Sequence, residues 1–268
     1  MKDPYWKTAI SKVEKNQILI RGYPIEELMS SCSFGEVVYL ALKGELPKGN
    51  EGILVEAILV SCIDHGLHAP SVNATRFVAS CGVPLQSAVA SGVNAIGEIH
   101  GGAIEAAARL FQDSLKSNSI DLDQLAPKLL LQYRENKKRL PGFGHPIHTE
   151  DPRAVRLLQL AEQHKYHRRH CALAEAIRVA SGDYFRKPLT LNIDGAMAAV
   201  ISDLEIPWQY GKGFFIISRS VGLIVHAVEE MTQFPPFRKV PLEDVHYVGT
   251  SRRKVPKSKK DVSKNRLG

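Results

Sequence analysis

Cysteine is scarce in this chain and poorly spaced for metal or disulfide chemistry. Cys32, Cys62, Cys81 and Cys171 form no C-x-x-C pair and no regular interval, which argues against a thiolate zinc site and against a disulfide-stapled fold. Cys62 and Cys81 lie in apolar stretches, where a reduced, buried thiol is the plain expectation. The N-terminal "MKDPYWKTAI" lacks the apolar centre of a secretory leader. The apolar run "ILVEAILVSCI" at 53–63 is short and broken by Glu56, so it does not read as a bilayer span. The expectation is a cytoplasmic protein with no membrane partner.

Basic charge is missing from most of the chain as well. The net charge is +7, from 35 Lys and Arg against 28 Asp and Glu. Residues 250–268 hold eight of the cations and one Asp, which is 8 − 1 = +7, so the other 249 residues carry 27 of each sign and sum to zero. A nucleic-acid-binding body carries its excess charge on a folded face. Here the excess sits in a polar terminal stretch without helical or strand periodicity, which reads as a disordered, solvated tail. Nucleic acid is therefore not expected as a partner, and a weak anionic partner for the tail is the sharper alternative. Strand patterns are thin ("QILIRGY" and "PLTLNID" only), and no internal repeat is visible.

What the chain does have is helical punctuation. "SFGEVVYLALKG" offers Ser33 and Glu36 as a capping box and Gly44 as a stop. "GYPIEELM" puts Pro24 at a helix start with acids behind it. "DPRAVRLLQLAEQH" begins with Asp151 as N-cap and Pro152 at the first helical position. "GAIEAAARLFQDSLK" repeats apolar residues at helical spacing, and "ALAEAIRVASG" predicts a helix ending at Gly182. "FFIISRSVGLIVHAVEEM" is long and apolar enough for a buried helix. The fold class is all-α. "GGA" at 101–103 and "EIPWQYGKG" at 205–213 are the points where the chain would leave and rejoin a second helical lobe.

Chemistry-bearing residues gather in a few short stretches. His100 in "GEIHGGAIE" has glycines on both sides, so the backbone can turn sharply and a ligand can approach. Such a histidine can donate to a carbonyl or a forming oxyanion, or be an ordinary loop histidine. His145 in "PGFGHPIH" is pushed toward extended backbone by Pro146 and bared by glycines, which suits an anion or thioester; a tight surface turn is the plainer reading. Asp194 in "LTLNIDGAMAAV" lies between an apolar stretch and an Ala-rich helix. It is either a helix cap or a general base in a dry cleft. His65 and His68, and the "HKYHRRH" cluster at 164–170, lack a completing ligand at a zinc spacing. A solvated helix face is the better account of the second set. Arg153, Arg219 and Arg238 stand near apolar or turn elements. Arg219, inside an apolar helix, needs a counter-charge, and a planar guanidinium suits the carboxylates of a small polyacid.

Taken in order, "IRGYPIEEL", "SFGEVVYLALKGELP", "GEIHGGA", "PGFGHPIH…DPR", "NIDG" and "SRSVG" resemble the citrate synthase family from about Lys12 to Val248. "VSCIDHG", "TLNIDG" and "HYVG" resemble its short-chain branch, citryl-CoA lyase, including the module at the end of ATP-citrate lyase. The resemblance implies a large helical domain (1–104 and 203–249), a small one (105–202) and a cleft between them, followed by the tail at 250–268. It implies Claisen chemistry or its reverse. Asp194, His100 and His145 would be catalytic. His65, Arg153, Arg219 and Arg238 would hold substrate carboxylates, with Arg238 reaching across a homodimer or larger assembly. Backbone around Leu140, Gly142, Phe143 and Gly144 would lie against coenzyme A, and no metal is implied. Many relatives have Arg where this chain has Pro146, and a basic residue where it has His148 and Thr149. The ATP-citrate lyase module differs at His100. The reading leans to citryl-CoA lyase; the alternatives are a citrate or methylcitrate synthase and a non-catalytic homologue that binds coenzyme A or a polyacid.

Overall fold

All but one of the helix ends marked by capping signals fall where those signals put them. The computed structural model describes residues 5–116, 121–145 and 149–255. Its helices are α1 (Ile25–Ser31), α2 (Phe34–Lys43), α3 (Glu51–Ser61), α4 (Pro70–Ala79), α5 (Leu85–Asn94), α6 (Ala103–Ser114), α7 (Leu122–Glu135), α8 (Pro152–Gln163), α9 (Arg169–Tyr184), α10 (Ile193–Asp203) and α11 (Gly211–Gln233). At α2 the Ser33 Oγ accepts from Glu36 N at 3.3 Å while Glu36 Oε2 accepts from Ser33 N at 2.7 Å, and Gly44 stops the helix at φ +87°. This reciprocal cap is worth about 1 kcal/mol. α9 overruns its predicted end at Gly182 by two residues and stops at extended Phe185. A lone glycine near a helix end lowers propensity by about 1 kcal/mol without forcing termination.

A small sheet precedes the helices, a departure from a purely helical chain. β1 (Ser11–Glu14), β2 (Gln17–Ile20) and β3 (Tyr23–Pro24) pair antiparallel in that order, with Lys12 opposite Leu19 and Leu19 opposite Pro24. "QILI" is thus a strand. "PLTLNID" is not; its extended Leu191 makes only an isolated bridge to Phe143.

α10 is the axis of the main core. Ile193 and every residue from Gly195 to Asp203 are buried, as expected of a helix that is apolar all round. It packs against α6, α8 and α9, and α7 covers α9. Fully buried Leu54, Ile58, Leu130, Leu173, Ile177 and Ile201 belong to this core, each contributing roughly 1.5–3 kcal/mol by burial. α4, α5 and α11 form a second layer. A Cβ on Gly92 there would collide with Thr75 Oγ1 and lie 2.8 Å from Leu223 Cδ1, so glycine sets the close approach of these helices.

α11 is only partly the buried helix its composition predicts. Phe214, Ser218, Arg219, Leu223, Ala227 and Glu230 face inward, whereas Val221, Ile224, Val225 and Val228 are exposed. By length and composition the stretch from Trp208 to Gln233 matches a membrane span, unlike 53–63. Its buried charges, Arg219 and Glu230, bond to other parts of the protein, as in a core helix. The 164–170 stretch is also not a solvated helix face. Buried Asp203 accepts from the backbone N–H of Arg168, His170 and Cys171 and contacts His170 Nδ1 at 2.8 Å, so it caps α9. Residues 251–255 have no regular structure. The remaining tail, 256–268, and Pro146 and His148 lie outside the described residues.

Candidate active site

Two chain segments far apart in sequence are laced together at the N-terminus of α10. Gly144 N donates to Thr190 O at 2.7 Å, Asn192 N to Gly142 O at 3.1 Å, and Asn192 Nδ2 to Gly144 O at 2.9 Å. Gly142 has φ +82°, and a Cβ there would lie 2.6 Å from Gly195 Cα; only two glycines allow this crossing. Asn192 caps α10 by accepting from Gly195 N at 3.1 Å. The lacing carries His145 and Asp194 to one wall of a cleft of about 520 Å³.

The opposite wall is built from α3, α4, α11 and the turn at 97–100. His65, His100 and Arg219 line it, and Arg153 and Gly144 complete the same cleft. Gly97 and His100 exchange both backbone hydrogen bonds, at 2.9 and 3.0 Å, which makes a two-residue turn with Ile99 fully exposed at its tip. The His100 ring is held on two sides. Its Nε2 is 2.8 Å from Ser71 Oγ, and its ring makes a T-shaped contact with that of Phe215, centroids 5.6 Å apart. Phe215 also lies under Arg219, 4.8 Å from the guanidinium carbon.

Arg219 is 2% exposed. Its Nε donates to Cys62 O at 3.1 Å, while Nη1 is buried with no hydrogen-bond partner. A desolvated guanidinium donor without an acceptor costs several kcal/mol, and a ligand carboxylate in the cleft removes that cost. Arg153 is engaged on one edge by buried Asp151, through Nε at 3.0 Å and Nη2 at 2.9 Å.

Protonation states follow from burial. Burial first of all pushes the Asp194 carboxyl up to about 6; the Asp151 charge adds to this, and Arg153 and Arg219 oppose it. The His100 imidazole is pushed down by burial, then by Arg219 and His65. His65 is pushed down by burial, then by Arg153 and Arg219. Both rings are therefore neutral at pH 7. The Cys62 thiol is pushed up to about 11 by burial and by Asp194, so it is no nucleophile. The cleft thus holds a carboxylate poised near neutrality, neutral imidazoles able to donate, and cations for a polyanion. Among the described residues no group of three or more His, Cys, Asp or Glu is arranged to hold a metal ion.

The sequence candidates divide in three. His65, His100, His145, Arg153, Asp194 and Arg219 come together, with Gly144. Leu140, Gly142 and Phe143 lie on the approach to His145. Leu140 is buried in the core at 5% exposure, and Phe143 pairs with Leu191. Arg238 is elsewhere in this chain, forked onto Glu230 at 2.9 and 2.6 Å. Sequence reasoning missed Ser71 and Phe215 as partners of His100. Phe215 stands four residues before Arg219, one helical turn, which was a usable signal; Ser71 left none.

The family model "Citrate synthase, C-terminal domain" matches residues 4–57 and 50–239. The structure is similar to that of citryl-CoA lyase from Hydrogenobacter thermophilus, with 40% identity, a TM-score of 0.88, and coverage of 97% of this chain and all of that one. An ATP citrate lyase from Methanothrix soehngenii, solved with citrate and coenzyme A, shares the fold at 20% identity and a TM-score of 0.79, over 94% of this chain and 43% of its own. A probable ATP-citrate synthase of Dictyostelium discoideum is 30% identical over 251 residues, 87% of this chain. This chain spans 39% of that relative's length.

Proposed function

The chain belongs to the citrate synthase family, and on that premise we propose that it interconverts citryl-CoA with acetyl-CoA and oxaloacetate, running as a citryl-CoA lyase. The observation that carries the reading is one cleft holding three kinds of group: the raised Asp194 carboxyl, the neutral His100, and the orphaned Arg219 Nη1. The 40% identity to a citryl-CoA lyase covered end to end favours cleavage over synthesis.

In cleavage, His145 takes the proton of the citryl hydroxyl. The carbon–carbon bond breaks, its electron pair passes into the thioester as an enolate, and oxaloacetate is released as the ketone. His100 donates to the thioester oxygen that takes up the charge. Asp194 then delivers its proton to the enolate carbon, giving acetyl-CoA, and after product release His145 loses its extra proton to solvent while Asp194 regains one. Arg153, Arg219 and His65 hold the substrate carboxylates, and the bared backbone at Gly142–Gly144 lies along coenzyme A. Coenzyme A enters as part of the substrate, and no metal takes part. The division into 1–104 with 203–249 against 105–202 puts the cleft between two lobes, so closure would exclude water from the enolate. A cytoplasmic homodimer or larger assembly, with Arg238 given across the interface, completes the proposal; the exposed valines of α11 are apolar surface available for it.

The decisive assay supplies purified protein with citryl-CoA, and separately with acetyl-CoA and oxaloacetate. The expected result is oxaloacetate from citryl-CoA. Free citrate from the second mixture would make the chain a synthase, and no turnover in either would overturn the reading.

The pH profile of cleavage should report Asp194. The carboxyl must be protonated at the start, so kcat/KM for citryl-CoA should fall as pH rises through about 6. Cleavage takes up and releases no net proton, so condensation, measured from the free enzyme, should follow the same limb. A profile flat through about pH 6 would remove Asp194 from the proton transfer.

A further inference from the structure

Asp151 does more than start a helix. Its side chain is wholly buried and accepts four hydrogen bonds. Oδ1 takes Arg153 N at 3.1 Å and Arg153 Nε at 3.0 Å. Oδ2 takes Arg153 Nη2 at 2.9 Å and Ile193 N at 3.0 Å. An N-cap needs only the first of these. The other three tie the carboxylate to a guanidinium that lines the cleft and to the residue before Asp194. Burial opposes its ionisation, but the Arg153 bonds and charge, with the backbone donors, outweigh this and hold Asp151 below the usual carboxylate range.

We propose that Asp151 is a positioning residue for two working groups at once: it fixes the Arg153 guanidinium so that Nη1 is the arm left for a ligand carboxylate, and it pins the first turn of α10 so that Asp194 meets the same ligand. The inference deepens the proposed reaction and rests on it for the roles of Arg153 and Asp194. Arg153, held side-on by an internal carboxylate, is half neutralised. It steers one oxygen of the substrate, while Arg219, with no internal acid on its fork, supplies the stronger pull. The Asp151 charge also keeps Asp194 protonatable near neutrality, against Arg153 and Arg219. The other groups around Asp194 are Cys62, a neutral thiol, and His65, His100 and His145 from the cleft walls.

The test uses two substitutions and readouts that need no turnover. The Asp194 carboxyl is followed by 13C NMR in Asp-labelled protein, assigned by difference from Asp194→Asn, and citrate affinity is measured by calorimetry. Asp151→Asn removes the charge and should lower the Asp194 midpoint by roughly half a unit or more. Asp151→Glu keeps the charge but displaces the oxygens. It should leave that midpoint unmoved and weaken citrate binding about tenfold through loss of the Arg153 orientation. Should Asp151→Asn fail to fold, Arg153→Met gives the reciprocal reading and should raise the midpoint. Midpoints unmoved in all folded variants, with citrate affinity falling only in step with Tm, would reduce Asp151 to a helix cap and overturn the inference. Failure of the wild-type protein to cleave citryl-CoA would instead count against the reaction and leave these titrations readable.

Discussion

Asp194→Asn should lower citryl-CoA cleavage by about 10³-fold or more while raising Tm at pH 7.5. The first half follows from general acid–base catalysis, which contributes about 10²–10⁴-fold, and from the carboxamide's inability to return a proton to the enolate. Coenzyme A affinity should hold, because the amide keeps the shape and the substitution leaves the 140–144 backbone, the proposed coenzyme contact, untouched. The second half follows from linkage. The Asp194 carboxyl rises from 3.8 to about 6 on folding, so ionised Asp194 destabilises the folded state. That destabilisation is fully present above about 6 and vanishes below 3.8. At about 1.4 kcal/mol per unit it amounts to roughly 3 kcal/mol. Asparagine escapes it, so the gain in Tm should disappear when melting is repeated near pH 4. A variant that loses activity and stability together at pH 7.5 would make Asp194 a structural residue.

This opposition of stability and function explains why the residues that converge on the candidate site were legible in the sequence while their supports were not. His100, His145 and Asp194 each interrupt a local pattern: a histidine between glycines, a histidine before a proline, an acid at the head of an Ala-rich helix. Such conflicts are visible one residue at a time. Ser71 offers no conflict. It is a serine in the first turn of a helix, and its role exists only because α4 and the 97–100 turn meet. Asp151 was readable as a cap, since capping is local, but not as the partner of Ile193, forty-two residues away. The fold divides in the same way. The capping box of α2, the Pro at the first position of α8 and the glycine stop at Gly44 are short-range and fell in place; the stop at Gly182 did not. The β1–β2 hairpin turns through Asn16 at φ +59° without a following glycine, so its turn signal is faint. α11 looked wholly buried because hydropathy counts apolar residues without distinguishing a core face from an exposed one.

Arg219→Met should cost about 10²–10³-fold in kcat/KM for citryl-CoA and in citrate affinity, with Tm unchanged or higher. Truncating one side of a desolvated charge pair costs about 2–5 kcal/mol in binding. In the free protein the guanidinium is a liability, 2% exposed with Nη1 unpartnered. A buried cation replaced by an apolar side chain of similar volume is often neutral or stabilising, and the methionine sulfur has Phe215 to rest on. Arg219→Lys should rescue little. One ammonium cannot both donate to Cys62 O, where Nε stands at 3.1 Å, and reach the ligand from the position of Nη1. Retained citrate affinity in Arg219→Met would sink the carboxylate-binding role. A collapse in Tm would show that the bond to Cys62 O, rather than any ligand, is what the arginine serves. The predicted pair of results, lost affinity in a protein at least as stable, can arise only if the cost of burying this cation is recovered by an anion that enters the cleft.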